Sequence, residues 1–136
     1  MGLQAKQIYV NLPVKDLDKT KSFFGEIGFE FNPQFSDENA ACMVVNENIF
    51  VMLLTEEFFK NFTDKELSDA SKSIEGIVAL SSDSREQVDE IVNKALALGG
   101  TPSYETIEQG PMYSRSFYDI NGHMWEFLYM DESAVQ

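Results

Sequence analysis

Apolar and polar positions alternate along the first strand-length stretch of the chain. Ile8, Val10, Leu12 and Val14 fall on one side and Gln7, Tyr9 and Asn11 on the other, the period of two that a half-buried strand requires. Pro13 sits near the end of this stretch, where a missing N–H is tolerable. Asp16 or Asp18 can cap the helix predicted to follow. Over 20–27 the period changes: Phe23, Phe24 and Ile27 share one helical face, and Gly28 then stops the helix. Phe29, Phe31 and Phe35 predict a second strand, with Pro33 marking a bend or an edge. Residues 41–45 and 49–55 predict a hairpin across Asn46-Glu47-Asn48.

Residues 56–73 break the pattern. The aromatic run 57–62 reads as a short helix, and Thr63-Asp64-Lys65-Glu66 has the spacing of a capping box opening further helical turns. The segment reads as a link between two halves. It is a surface connector with Phe58, Phe59 and Phe62 anchored in the core, or a lid. A strand is predicted over 74–81, with Ile77 and Ala79 on one face and Val78 and Leu80 on the other. Ser84-Arg85-Glu86-Gln87 is a capping box. The helix it opens carries Val88, Ile91, Val92, Ala95 and Leu96 on one face and ends at Gly99-Gly100. Strands are predicted over 102–107, 115–119 and 123–130, with a turn at Gln109-Gly110-Pro111.

The last of these strands follows an Asp119-Ile120-Asn121-Gly122 turn, in which Asn-Gly is expected to supply the positive φ angles of a tight reversal. His123, Trp125, Phe127 and Tyr129 share one face, and Met124, Glu126, Leu128 and Met130 the other. Glu126 is therefore a carboxylate among apolar neighbours, and it must be solvated, hydrogen-bonded or bound to something. The same parity prevents His123 and Glu126 from holding one metal ion while the strand stays regular.

Composition narrows the classes. At 136 residues, with 43% hydrophobic and 12% aromatic side chains, the chain fits one globular domain. It has no apolar run of the ~20 residues that a membrane helix needs, and no secretory signal pattern. Cys42 is alone, so neither an internal disulfide nor a Cys-based zinc site is expected, and a reducing cytoplasm fits. The net charge of −13 disfavours nucleic acid and anionic membranes; it favours cationic ligands or, more simply, is that of a common kind of soluble acidic protein, since charge alone speaks to solubility and steering. One His leaves little room for a nucleophilic triad, and Gly99-Gly100 follows a helix rather than preceding one, unlike a phosphate loop.

Both halves read strand, helix with a terminal Gly, then three strands. The predicted fold is α+β: two tandem βαβββ modules, about 5–56 and 74–131, joined by a linker at about 57–73 within one domain spanning 1–136. Together they form a curved mixed sheet around a central groove. In that picture the first and last strands of each half face one another across the groove. Val-Asn-Leu-Pro-Val-Lys-Asp-Leu at 10–17, Phe-Phe-Gly-Glu-Ile-Gly-Phe at 23–29 and Phe-Tyr-Asp-Ile-Asn-Gly-His-Met-Trp-Glu-Phe at 117–127 occur in this order. With these motifs the chain resembles the vicinal oxygen chelate superfamily of glyoxalases, bleomycin-resistance proteins and extradiol dioxygenases. The resemblance implies the fold just described and a homodimer.

It also implies where a metal would be held. The positions that carry His or Glu ligands in metal-dependent members are here Tyr9, one of residues 50–54, Ile77 and Glu126. Only Glu126 is an ordinary ligand, so no metal site is expected; if a divalent metal binds, Glu126 is part of its site. The first expectation is a small-molecule binder resembling bleomycin-resistance proteins. Its groove would be lined by Tyr9, Asn11, Met52, Leu54, Ile77, Ala79, Met124, Glu126 and Leu128, with Glu126 anchoring a cationic or hydrogen-bond-donating group. The alternative is a divalent-metal-dependent isomerase, lyase or dioxygenase, similar to lactoylglutathione lyase. Glu126 acting as a catalytic base without metal, and a non-catalytic interaction domain whose groove is filled by Met52 and Met124, complete the readings.

Overall fold

The computed structural model describes residues 2–131. The chain divides into two compact units, Met1–Leu67 and Ser68–Gln136.

In the first unit, strand β1 (Ile8–Val14) leads into helix α1 (Leu17–Ile27), then β2 (Glu30–Asn32), β3 (Ala40–Asn46) and β4 (Ile49–Thr55). Asp16 is the N-cap: its carboxylate accepts from the Lys19 N–H at 3.0 Å. Gly28, at φ 133°, closes the helix and donates to the carbonyls of Phe24 and Gly25. The sheet order is β1-β4-β3-β2. α1 turns Leu17, Phe23, Phe24 and Ile27 inward and packs on β2, β3 and β4. The core partners on the sheet are Ala41, Met43, Val51 and Leu53, all fully buried. Removing each large member of this set from water contributes roughly 1.5–3 kcal/mol.

The second unit repeats the scheme: β5 (Ile77–Ser81), helix α3 (Arg85–Ala97), β6 (Thr101–Pro102), β7 (Ile107–Gln109), β8 (Met112–Tyr118) and β9 (Met124–Met130). The order is β5-β9-β8-β6, with β7 also paired to β8. Ser84 caps α3 by accepting from the Gln87 N–H, while the Gln87 side chain reaches back to the Asp83 N–H at 2.7 Å. Val88, Val92 and Ala95 of α3 are buried with Phe117, Trp125 and Phe127. The Phe117 and Phe127 rings stack with centroids 6.0 Å apart. The parity predicted for β9 therefore holds: Trp125 and Phe127 go into the core, and Glu126 goes to the other face.

Several expectations are corrected. The first and last strands of each half do not face one another across a groove. β1 pairs directly with β4 and β5 with β9, in both cases parallel. Backbone hydrogen bonds satisfy each strand's polar groups at once, which separation would not. The second strand stops at Asn32, because Pro33–Phe35 forms a 3-10 turn capped by the Asn32 side chain. The linker helix is split into α2 (Glu56–Phe59) and a 3-10 turn at Lys60–Phe62, and Phe62 is 68% exposed rather than anchored in the core. Thr63 opens no helix; its hydroxyl accepts from the Lys65 N–H two residues on, a local turn that competes with the capping box. The strand predicted over 102–107 is two short pieces, β6 and β7, and β8 begins at Met112 rather than Arg115.

Candidate functional site

Directly paired residues in a sheet share a face. In the second unit Ile77 pairs with Met124, Ala79 with Glu126, Ser116 with Glu126 and Ser114 with Leu128. The face opposite α3 therefore carries Ile77, Ala79, Met124, Glu126, Leu128, Ser114 and Ser116. Ile77 is 54% exposed, and Met124, Glu126 and Leu128 are half-buried, so this face has apolar surface to offer with one carboxylate in its middle.

Glu126 is held from below. The Ser114 hydroxyl, itself buried, donates to Glu126 Oε2 at 2.7 Å. Ser114 is the diagonal neighbour, since Ser116 stands directly opposite Glu126. The Ser116 hydroxyl is committed elsewhere, to Ser103 Oγ at 2.6 Å and the Tyr104 N–H at 3.2 Å. Among the described residues no donor reaches the other oxygen of Glu126, Oε1. A fixed carboxylate with one oxygen committed and one available is an acceptor for a cation or an N–H donor. The sequence reading missed Ser114, because the strand was expected to start at Arg115. The alternation Met112, Ser114, Ser116, Tyr118 was the signal that would have placed it on the Glu126 face.

The remaining predicted site residues belong to the first unit. Tyr9 and Asn11 pair with Phe50 and Met52 and lie on the face away from Ala41, Met43, Val51 and Leu53. Tyr9 is 53% exposed, stacks on Phe50 at 5.1 Å and donates its phenol to Gln7 Oε1 at 2.8 Å. Asn11 is exposed and Met52 half-buried. Leu54, expected to line a groove, is instead buried: α2 follows directly on β4 and packs on β1 and β4. Cys42 is buried too, which pushes its thiol pKa up and leaves it a poor nucleophile and metal ligand.

Next to the site lies the turn that sets the register of β9. Asp119 is buried, and its Oδ1 accepts from the N–H groups of Asn121 at 2.8 Å and His123 at 3.1 Å. Its Oδ2 accepts from Trp125 Nε1 at 2.9 Å. Burial raises the Asp119 pKa, outweighing the lowering effects of His123 and of these donors. Asn121 does not adopt a positive φ; Gly122 alone does in this turn, at 94°. The reversal is thus built on the Asp119 side chain rather than on a pair of left-handed residues. Gly122 also sits against Ala70, whose carbonyl oxygen would be 2.5 Å from any added Cβ.

On the α3 side of the same sheet, Tyr113 and Arg115 both donate to Asp89 Oδ1, at 2.5 and 2.9 Å. Arg85 lies over the Tyr113 ring and pairs with Glu108. A pocket of about 330 Å³ is lined by Ser84, Arg85, Glu86, Gly110, Pro111, Tyr129 and Asp131. Tyr129 has the parity opposite to Glu126, so this pocket is on the other face from the carboxylate.

Among the described residues no three His, Cys, Asp or Glu side chains lie close enough together to hold a metal ion; structural or catalytic sites draw on three or four such donors.

The two-unit βαβββ arrangement is the glyoxalase/bleomycin resistance/dioxygenase fold. Residues 6–46 match the model of the bleomycin resistance protein-like N-terminal family. A hypothetical protein from S. aureus is 28% identical, with 93% of this chain and 95% of that one covered and a TM-score of 0.77. A glyoxalase/bleomycin resistance protein/dioxygenase family enzyme from Burkholderia phytofirmans superimposes with a TM-score of 0.73 at 17% identity, over 90% and 96% of the two chains. The genomically encoded fosfomycin resistance protein FosX from Listeria monocytogenes, in complex with Mn(II) and sulfate, gives 0.67 at 23% identity over 92% and 90%. A search of curated proteins finds no significant match. What these solved structures share with the chain is the glyoxalase/bleomycin resistance/dioxygenase fold.

Proposed function

We propose that this chain is a small-molecule binding protein of the bleomycin-resistance type. Its ligand is a cationic or hydrogen-bond-donating molecule with an apolar or aromatic body, held on the open face of the second sheet. The observation that supports this is Glu126: a carboxylate fixed by a buried hydroxyl, with one oxygen available, among Ile77, Ala79, Met124 and Leu128. The charge supplies directional recognition and the apolar side chains supply contact area. The net charge of −13 draws cations toward the surface. A cytoplasmic location and a dimeric state are part of the same proposal; no helix among the described residues is long and apolar enough to cross a membrane.

Calorimetric titration of the full chain with cationic glycopeptides and aromatic amines tests the reading. Saturable binding of at least one is expected, and absence of heat across the panel would count against it. A second reading is a metal-dependent enzyme of the superfamily, favoured by the Mn(II) in the FosX structure. In this chain it would have to find donors beyond Glu126. Elemental analysis of protein purified without chelator separates the two: a stoichiometric Mn, Fe, Ni or Zn signal that Glu126→Ala abolishes would establish the second.

A further inference from the structure

We infer that Asn121 is a site of spontaneous covalent modification, held in check by the folded Asp119 turn and released when that turn opens. Asn121-Gly122 is the one Asn-Gly pair in the sequence. In an open chain such a pair cyclises readily, because Gly has no Cβ to shield its nitrogen from the preceding side chain. The Gly122 nitrogen loses its proton and bonds to Asn121 Cγ, and the side-chain nitrogen departs as ammonia. Water then opens the cyclic imide at either carbonyl. The product is aspartate, or isoaspartate with the main chain rerouted through Cβ. The fold blocks the first step. Gly122 N–H donates to the Asp119 carbonyl at 3.0 Å, so the proton that must leave is held in a hydrogen bond. Asn121 is 7% exposed, and its own N–H is held by Asp119 Oδ1 at 2.8 Å. The same oxygen holds the His123 N–H, and the Asp119 N–H donates to the His123 carbonyl at 2.9 Å, which closes the turn from both ends. Attack therefore waits for the turn to open, as exchange of a protected amide proton does. The product does not rebuild the turn. It sets a second carboxylate beside buried Asp119. Isoaspartate also adds a main-chain atom where Gly122 already lies tight against the Ala70 carbonyl. β9 begins two residues further on, so the modification loosens the strand that carries Trp125 and Glu126. Each opening that ends in cyclisation is recorded one way.

The experiment incubates the full chain in mildly alkaline buffer, native and in urea, and follows conversion at Asn121 by peptide mapping and mass spectrometry. Exchange of the Gly122 amide proton is measured by NMR in the same native buffer. Native conversion is expected to be slower than conversion in urea by the factor that protects the Gly122 amide from exchange, to within about threefold. Asp119→Ala unmakes three hydrogen bonds of the turn. It is expected to raise native conversion by roughly tenfold or more and to leave conversion in urea unchanged. Asn121→Asp carries the side chain of one product and is expected to melt below the wild type. Native conversion as fast as in urea, or a folded Asp119→Ala that converts no faster than the wild type, would overturn the gate. An Asn121→Asp protein as stable as the wild type would overturn the one-way consequence. If Asp119→Ala does not fold, the wild type alone still decides: conversion much faster than exchange of the Gly122 amide allows would refute the proposal, and matched factors would support it.

Discussion

Replacing Asp119 by Asn separates its charge from its shape. Three N–H donors converge on the carboxylate, two on Oδ1 and one on Oδ2. An amide has one acceptor oxygen. With that oxygen facing the backbone N–H groups of Asn121 and His123, the amide NH₂ confronts the Trp125 indole N–H. Flipped, it confronts both backbone donors, which is worse. The cheaper arrangement loses one hydrogen bond and leaves a buried donor without an acceptor, a cost of about 1–3 kcal/mol. Asp119→Ala leaves all three unmade and opens a void, and is expected to cost more. The pH dependence has a definite sign. The folded pKa of Asp119 is raised above its ordinary 3.8 by burial. Its contribution is therefore full below that value and is lost as pH rises through the folded pKa. Asn does not titrate, so the stability gap between wild type and Asp119→Asn is expected to be widest in acid and to narrow upward from about pH 4. Urea melts of both proteins at matched pH values measure the gap. An Asn variant as stable as wild type across the range would refute the assignment of Asp119 as the organiser of the turn.

Two further outcomes follow from the same unit. Gly122→Ala forces a side chain onto a φ of 94° and into the Ala70 carbonyl, so a loss of roughly 1–3 kcal/mol or more is expected in thermal or urea melts. Tyr113 has its pKa raised above 10.0, first by its hydrogen bond to Asp89. That bond's contribution is present below 10.0 and lost as pH rises through the higher folded value. One tyrosine should thus ionise later in the wild type than in Asp89→Asn, read from tyrosinate ultraviolet absorbance; coincident titration curves would contradict it.

The parts of this molecule that were legible in its sequence are those governed by local periodicity. The face of α3 with Val88, Val92 and Ala95 and the alternation in β9 were readable, because each residue's orientation depends only on its own element. The capping of α1 and α3 was readable for the same reason. What failed depended on competition. Thr63 had the spacing of a helix start, but its hydroxyl closed a local turn instead. Asn121-Gly122 had the composition of a two-residue reversal, but the buried Asp119 side chain gathered the donors first. The face of the sheet that Glu126 takes was readable from parity alone. The partner of Glu126 was not, because Ser114 lies on a different strand and meets it diagonally through a register that no single strand encodes. Leu54 had the right parity to line a surface, yet α2 removes it from one, and no pattern within β4 could indicate that.

The central claim is that the free oxygen of Glu126 anchors a cationic small molecule. The direct measurement is calorimetric titration of wild type and Glu126→Gln with whichever aromatic amine or cationic glycopeptide binds the wild type most tightly. A hydrogen bond to a charged group is worth about 1.5–3 kcal/mol, so Glu126→Gln should weaken binding by roughly ten- to 150-fold while leaving the melting temperature nearly unchanged. Equal affinity in the two proteins would contradict the account.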